Sequence, residues 1–279
     1  MSAVRLLVAC PDRPGIVAAI SGFFARRGAN ITSSDQHTTD PSGGRFLLRM
    51  EAEADLAGLR EAFDGEVATP FGMEWSLSDA RHRRRVAVLV SREEHCLLDL
   101  LWRWRRRELP CEIVLVASNH ELAREDAERF GVPFVHVPVP PGGKPEAERA
   151  LLAALHDAQV ELVVLARYMQ VLSGGFLGAL RVPAINIHHS FLPAFVGADP
   201  YRRALERGVK IIGATAHYVT EELDAGPIIE QDVERVSHRA TVEELVAVGA
   251  DIERRVLGRA VRWHLEDRVL VFGGRTVVF

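Results

Sequence analysis

The sequence predicts an α/β protein with two domains: a small ferredoxin-like α+β domain, and then a larger domain with a doubly wound, mostly parallel sheet. Two observations lead to this prediction. Over residues 1–80, strand and helix patterns follow the order βαββαβ. From Arg85 onward, short apolar runs alternate with helical patterns, as is typical of strands that a parallel sheet buries on both faces.

The first domain begins with an apolar strand over residues 4–9, and a turn at 11–15 leads directly into a helix. Helical spacing is shared by a set of apolar residues, namely Ile16, Ile20, Phe23 and Phe24. Gly28 ends this helix, at the position where glycine can adopt a left-handed backbone.

Two more strands, a helix and a last strand complete the first domain. Residues 30–38 are extended, and Phe46, Leu48 and Met50 recur at every second position of a strand. A helix from about Leu56 precedes the last strand. That strand lies near 73–77, and the predicted domains are therefore 1–80 and 85–279, joined by a polar linker at 81–84.

The second domain contains several apolar runs that read as buried strands. They lie at 86–90, 111–118, 134–139, 161–166 and 184–188. Helical patterns lie near 94–107, 121–130 and 145–157. Because ligands of such sheets bind at the carboxyl ends of the strands, residues that follow these strands are candidates for a site.

The end of the chain has a different pattern. Two strands, at 210–220 and 226–233, flank a loop that contains Asp224. Thr241 and Glu244 form a capping box at the start of a long helix. The tail reads as a hairpin with a Gly-Gly turn.

Composition excludes several classes of function. A net charge of −4 argues against a nucleic-acid partner. The three cysteines, Cys10, Cys96 and Cys111, form neither a disulfide framework nor a zinc spacing. Since no apolar run has the length of a membrane span or of a signal peptide, we expect no membrane partner and a location in the cytoplasm.

Polar residues at the end of the strand over 184–188 are the strongest functional signal. Asn186 and His188 point to one side, toward the predicted crevice. An amide beside an imidazole suits the oxyanion that forms when an acyl or formyl group leaves nitrogen, and Asp224 could orient the imidazole. A structural interpretation stays open, in which these residues cap the strand and Asp224 forms an Asx turn.

Other chemistries are less well supported. Adjacent strand residues point to opposite faces, so His188 and His189 would not share a metal ion, and we expect no metal site. Ser190 lacks the G-x-S-x-G elbow of serine hydrolases. His217 is predicted to be a packed strand histidine.

The stretch from Asn186 to Gln231 resembles the folate-dependent formyltransferase family. It contains N-I-H-x-S-x-L-P, then G-V-K, T-x-H-x-V and D-x-G-x-I-x-x-Q in the order of that family. The resemblance implies a formyltransferase-type domain from residue 85 to 279, and it implies a catalytic role for Asn186, His188 and Asp224.

Within that family the chain is most similar to the deformylase branch. Three features support this resemblance: "LARYMQVLS" at 165–173, the double histidine at 188–189, and "SREEHCLLDLL" at 91–101. The last of these stands where other members of the family have a glycine-rich phosphate loop. The N-terminal unit resembles an ACT domain, with "CPDRPGIVAAIS" as its strand-to-helix turn.

This resemblance implies hydrolysis of the C–N bond of 10-formyltetrahydrofolate, which supplies formate and tetrahydrofolate to one-carbon metabolism. Water would be the acceptor, and the folate would be the substrate, with no separate cofactor. The alternatives are transfer of the formyl group to an amine, with Arg92 holding an anionic acceptor, and a non-catalytic folate-binding protein.

The resemblance also implies binding residues. The expected folate contacts are Arg167, Tyr168, Met169, His189 and Gly226. ACT domains often pair and hold an amino acid between them, so a homo-oligomer with an amino-acid effector is expected. Its contacts would be Asp12, Gly15 and Asn30, and a pairing domain without a ligand is the alternative.

Overall fold

The computed structural model describes residues 2–40, 42–193 and 200–279. The segment 194–199 of the family-like stretch, and Pro41 of the loop after the second strand, lie outside the described residues. The chain divides into two units. One contains the residues through His82 together with Glu266–Phe279, and the other is Arg83–Leu265.

The first unit has the predicted βαββαβ order. Its elements are β1 (Ser2–Pro11), α1 (Ile16–Arg26), β2 (Asn30–Thr38), β3 (Arg45–Ala54), α2 (Leu59–Phe63), a π-helical turn (Asp64–Ala68), α3 (Thr69–Phe71) and β4 (Glu74–Asp79). The strands form an antiparallel sheet in the order β2-β3-β1-β4. The ferredoxin-like prediction is therefore confirmed.

Apolar burial explains why the helices of this unit lie on one face of the sheet. Phe23, Phe24 and Phe63 are almost fully buried, and the ring of Phe23 meets that of Phe63 edge-on at 5.2 Å. Gly28 follows α1 with a φ of +66°, as the sequence predicts for a residue that ends a helix.

The second unit is built on a seven-stranded sheet. Its elements are β5 (Arg84–Val90), α4 (His95–Arg105), β6 (Cys111–Ser118), α5 (Arg124–Arg129), β7 (Phe134–His136), α6 (Lys144–Asp157), β8 (Leu162–Leu165), α7 (Gly174–Leu180), β9 (Ala184–His188), α8 (Pro200–Glu206), β10 (Ile211–Tyr218), β11 (Ile228–Arg235) and α9 (Val242–Leu265). The strand order is β11-β10-β9-β8-β5-β6-β7.

Strand direction confirms the predicted fold class. Strands β5 to β9 are parallel, whereas β10 is antiparallel to both β9 and β11. Helices α7 and α8 are additions to the prediction, and Ser173 caps α7 by accepting the Phe176 N–H at 3.1 Å. The capping box of α9 is present, with Thr241 and Glu244 bonded reciprocally.

The C-terminal hairpin belongs to the first unit, which differs from the predicted boundary. It consists of β12 (Val269–Phe272) and β13 (Arg275–Val278), and both glycines of its turn have positive φ. Leu270 packs on Leu47, on the side of the sheet that the unit's helices leave open. In addition, Arg49 donates to the carbonyls of Glu266 and Asp267 at 2.9 Å. These contacts, distant in sequence, explain the difference.

Among the described residues, no helix has the length and apolar character that crossing a membrane requires.

Candidate active site

A cavity of about 610 Å³ lies in the second unit, at the carboxyl ends of β8 and β9. It is also walled by the loop between β10 and β11 and by α9. Most of the predicted site residues line it: Arg167, Tyr168, Met169, Asn186, His188, His189 and Asp224. The sheet therefore brings together side chains that lie far apart in the sequence, as expected for a crevice at this edge.

His188 and Asp224 form the central pair of the cavity. Nδ1 of His188 lies 3.3 Å from Oδ2 of Asp224; the His188 side chain is buried and that of Asp224 is 11% exposed. The backbone of Asp224 has a φ of +56°, which an aspartate tolerates better than most residues. The nearby imidazoles, His188 first and then His217, hold the pKa of Asp224 well below its usual range. Asp224 is therefore a carboxylate at any working pH.

The second ring nitrogen of His188 is available for chemistry. Nε2 is buried and has no hydrogen-bond partner among the described residues. Such an atom is costly to bury unless a ligand or water satisfies it. The nitrogen that faces away from Asp224 is thus the one that can meet a substrate.

His217 is a site residue that the sequence interpretation missed. It was expected to pack in its strand, and it is indeed almost fully buried. However, its Nε2 lies 3.2 Å from Nδ2 of Asn186 and 3.7 Å from Oδ1 of Asp224. The Nδ1–H of His217 donates to the carbonyl of Tyr218 at 2.8 Å, so Nε2 of the neutral ring can accept from Asn186.

The strand register explains this contact. His217 in β10 is the antiparallel partner of Asn186 in β9, so their side chains lie side by side. The T-x-H-x-V motif was the only signal in the sequence that pointed to this residue.

His189 does not point away from His188, which corrects the expectation from strand alternation. The two rings are stacked, with centroids 5.2 Å apart and planes at 27°. Strand β9 ends at His188, so the alternation of side chains ends there too. Burial, followed by the charge of Arg167, lowers the pKa of His189 to about 4. His189 is therefore neutral near pH 7.

A buried carboxylate that lines the same cavity was not predicted. Glu253 of α9 is 2% exposed and accepts a hydrogen bond from the Tyr201 hydroxyl at 2.7 Å. His95 Nε2 lies 2.8 Å from Glu253, and Arg167 Nε lies 3.4 Å from it. Burial would raise the pKa of Glu253, but the hydrogen bond from His95 and the charge of Arg167 outweigh burial and lower that pKa.

Among the described residues, one set of side chains around Glu253 has the types and spacing of metal ligands. Ligand atoms of His95, Cys96 and Glu253 lie within 4.8 Å of one another. However, Glu253 is already bonded to Tyr201, and a guanidinium lies against it. The positive charge of Arg167 disfavours a second cation at this point.

The loop after β8 is anchored to the neighbouring strand. Ser91 accepts the Met169 N–H at its hydroxyl, at 2.9 Å, and donates its own N–H to the Arg167 carbonyl at 3.2 Å. Tyr168 is buried, which raises its pKa to about 12. Met169 is 58% exposed at the mouth of the cavity, where the exposed Val171 and Leu223 also lie. This mouth suits a flat, partly apolar ligand.

Gly226 is the predicted contact that does not line the cavity. A Cβ atom at this position would lie 1.7 Å from the carbonyl oxygen of Tyr218. The glycine is therefore needed because the loop carrying Asp224 passes close to β10.

The predicted effector residues lie in the first unit. Oδ2 of Asp12 accepts from the Thr38 hydroxyl at 2.6 Å, and Gly15 precedes α1 with a φ of +96°. Asn30 is exposed at the first position of β2, whereas Thr38 is at the last. Eight steps at about 3.3 Å separate the two ends of β2, or about 26 Å. Asn30 and Asp12 therefore do not form one site within a single chain.

Comparison with known proteins gives two family matches. Residues 84–261 match the formyl transferase family, and residues 4–65 match the ACT domain. The chain is 57% identical to a formyltetrahydrofolate deformylase of Mycobacterium bovis, covering 99% of this chain and 90% of that protein. It is 54% identical to a formyltetrahydrofolate deformylase of Bacillus subtilis, covering 99% of this chain and 93% of that one.

A solved structure resembles the whole chain. The crystal structure of a formyltetrahydrofolate deformylase from Pseudomonas syringae pv. tomato matches with a TM-score of 0.95 and 50% identity. The match covers 100% of this chain and 95% of that one, so both units are shared.

Proposed function

The chain belongs to the formyltetrahydrofolate deformylases, which hydrolyse 10-formyltetrahydrofolate to formate and tetrahydrofolate, and we propose that Asn186, His188 and Asp224 carry this reaction. The enzyme is a hydrolase that acts on a C–N bond. The observation that carries the assignment of residues is the largely buried His188–Asp224 pair at 3.3 Å, beside Asn186 in one cavity.

Asn186 and His188 stabilise the oxyanion. When water attacks the formyl carbon, negative charge builds on the formyl oxygen. Nδ2 of Asn186 bonds His217 and has a second N–H for that oxygen. When His188 is protonated, its Nε2–H is the second donor, and the Asp224 carboxylate holds the charged ring.

Asp224 handles the protons. It takes a proton from the attacking water as the water oxygen bonds to the formyl carbon. When the C–N10 bond then breaks, this proton passes from Asp224 to N10. The second proton of the water is released to solvent, and formate leaves as an anion. A carboxylate with a lowered pKa is a weak base. The oxyanion donors therefore provide the larger part of the catalysis.

The acceptor is water because the segment after β5 cannot hold a phosphorylated amine. Ser91-Arg92-Glu93-Glu94 contains no glycine, and two carboxylates stand where a phosphate loop needs free N–H groups. Burial first, and then the charges of Asp126 and Glu93, raises the pKa of Glu94. A phosphate would be repelled from this edge of the cavity.

The folate ring system occupies the mouth of the cavity. Met169, Val171 and Leu223 offer exposed apolar surface, and the backbone of the anchored loop at 167–169 offers polar groups to the pterin edge. Each chemical step has a protein group to perform it, so the mechanism requires no cofactor in addition to the folate. The enzyme works in the cytoplasm, where unpaired thiols such as those of Cys10, Cys96 and Cys111 stay reduced.

The ACT domain pairs with that of a second copy and holds an amino acid at the interface. Strand β2 is at one edge of its sheet and is largely exposed. Antiparallel pairing of two β2 strands around a two-fold axis sets Asn30 of one copy opposite Thr38 of the other, and Thr38 is bonded to Asp12. A ligand could then reach Asn30 of one copy and the Asp12–Gly15 turn of the other.

The test is an assay with 10-formyltetrahydrofolate and no amine. We expect equal amounts of formate and tetrahydrofolate from the full-length protein. Little formate, together with rapid formylation of an added amine such as glycinamide ribonucleotide, would show a transferase instead. Folate binding without either product would show a binding protein.

A further inference from the structure

A second residue that lines the cavity, Arg167, has nitrogen atoms without a hydrogen-bond partner among the described residues. These atoms, Nε and Nη1, are buried. The nearby Glu253 carboxylate lies 3.4 Å from Nε, so it attracts the guanidinium by charge without using its N–H groups in directed bonds. A buried guanidinium with unused donors is costly unless a ligand satisfies it.

The position of Arg167 is fixed from several directions. Its φ is +64°, a left-handed conformation that non-glycine residues adopt mainly where the surroundings impose it. Its carbonyl is bonded to the Ser91 N–H. Tyr201 and His95 bond the Glu253 carboxylate, which keeps the counter-charge in place. The guanidinium is therefore preorganised.

Arg167 lines the same cavity as His188 and Asp224. The Tyr201 ring is 6.3 Å from that of His189, and His189 stacks on His188. The charge of Arg167 also contributes to the low pKa of His189, second to burial. Cationic Arg167 and anionic Asp224 thus lie with the histidine pair on the wall of one cavity.

We propose that Arg167 is the formate site of this enzyme: its unused N–H groups bind the carboxylate that forms when the C–N10 bond breaks. The inference rests on the proposed hydrolysis, whose product gains a second oxygen from water and leaves as a small carboxylate anion. Guanidinium geometry matches a carboxylate with two parallel hydrogen bonds. The same positive charge disfavours an ammonium acceptor in this part of the cavity, so it also favours water.

The experiment measures formate binding to the full-length protein in the absence of folate, from broadening of the proton signal of formate. We expect Arg167→Gln to weaken binding by at least about tenfold, as the loss of one charge-assisted hydrogen bond would. Arg129→Gln is the matched control, since Arg129 is an exposed arginine on α5. It should bind formate like the wild type.

Arg167→Lys is a second variant that is expected to fold, because it keeps a positive charge beside Glu253. It lacks the planar guanidinium that can form two parallel hydrogen bonds with a carboxylate. We expect this variant also to bind formate at least about tenfold more weakly. In the assay, product inhibition by formate should weaken in both variants, and by a larger factor than inhibition by tetrahydrofolate.

Equal formate binding by the wild type and both Arg167 variants would overturn the inference, and so would a wild type that does not bind formate. In either case the guanidinium holds water only. The two proposals fail separately. If the wild type releases formate from the folate but Arg167→Gln binds it normally, only the formate site is wrong. If no formate is released, the proposed hydrolysis is wrong whatever the binding result.

Discussion

The side-chain amide of Asn186 donates a hydrogen bond of 3.2 Å to Nε2 of His217. The direction of this bond is set by the other ring nitrogen, because Nδ1–H of His217 donates to the Tyr218 carbonyl. The bond in turn orients the Asn186 amide, so that its second N–H is the one that can meet the formyl oxygen. We therefore expect His217 to be a positioning residue that acts through Asn186.

Replacing His217 should lower turnover without weakening folate binding. His217→Phe keeps a ring of similar size but removes the acceptor for Asn186, so we expect kcat to fall by about tenfold, the scale of one neutral hydrogen bond. KM should change little. His217→Gln retains an acceptor and should recover part of the loss. Equal effects of both variants on kcat would contradict this role.

Asp224→Asn should lower turnover by about a hundredfold or more, since it removes the acid-base group. Folding and folate binding should remain close to those of the wild type. Asp157→Asn is a matched control, because Asp157 is exposed at the end of α6. Initial rates of formate release give the answer, and circular dichroism checks the fold. Near-normal turnover in Asp224→Asn would remove this residue from the mechanism.

Asn186→Ala should lower turnover by about 10²–10³, as expected for the loss of one oxyanion donor. The loss should appear in kcat and in kcat/KM alike, because the bond strengthens only as charge develops. Steady-state kinetics with a folded variant test this. A change confined to KM would instead mean that Asn186 only binds the substrate.

Part of this site could be predicted because it follows from local rules. Two-residue alternation puts Asn186 and His188 on one side of β9, and the position of β9 in a parallel sheet turns that side to a crevice. The Asp224 loop was also predictable from its flanking strands. The sequence also suggested that Asp224 orients His188, but it did not give the distance of 3.3 Å, which depends on the antiparallel packing of β10 against β9.

The residues that were missed are those whose role depends on distant contacts. His217 lies beside Asn186 because of the strand register, and Glu253 reaches the cavity because α9 packs against β9 and β10. In the sequence, Glu253 follows the apolar Ile252 and is expected to be exposed. In the structure it is buried, because Arg167 and Tyr201 lie beside its carboxylate. The position of the C-terminal hairpin could not be predicted for the same reason, because it depends on the contact between Arg49 and Asp267, which lie far apart in the sequence.

Acid should destabilise the protein partly through His189. Burial lowers the pKa of His189 to about 4 in the folded state, against about 6.5 when unfolded. Between these values the unfolded chain binds more protons, so the free energy of unfolding should fall as the pH falls from about 6.5 to 4. Above about pH 6.5, His189 is neutral in both states, so its titration no longer changes the free energy of unfolding.

His189→Gln should flatten this part of the pH profile. Denaturant unfolding at several pH values measures the slope, and His156→Gln, which changes an exposed histidine on α6, is the control. An equally steep slope in His189→Gln would mean that other groups cause the acid sensitivity.

The amino-acid effector should bind only where Asp12 and Asn30 are both intact. Calorimetric titration of the full-length protein with a panel of amino acids tests this, with glycine and methionine first because one-carbon supply depends on both. We expect Asp12→Ala and Asn30→Ala each to weaken binding by about tenfold, the scale of a charge-assisted hydrogen bond. If no amino acid binds at millimolar concentration or alters the deformylase rate, the domain serves assembly only.

Assembly itself should depend on the middle of β2. In antiparallel pairing of Asn30–Thr38 with its own copy, Ser34 lies at the centre and faces Ser34 of the second copy. Ser34→Lys would set two like charges directly opposite each other, which destabilises a strand pair. Ser34→Thr keeps a polar residue that favours strands and is the matched control. Light scattering after gel filtration should show a smaller species for Ser34→Lys alone, and an unchanged mass would exclude β2 as the interface.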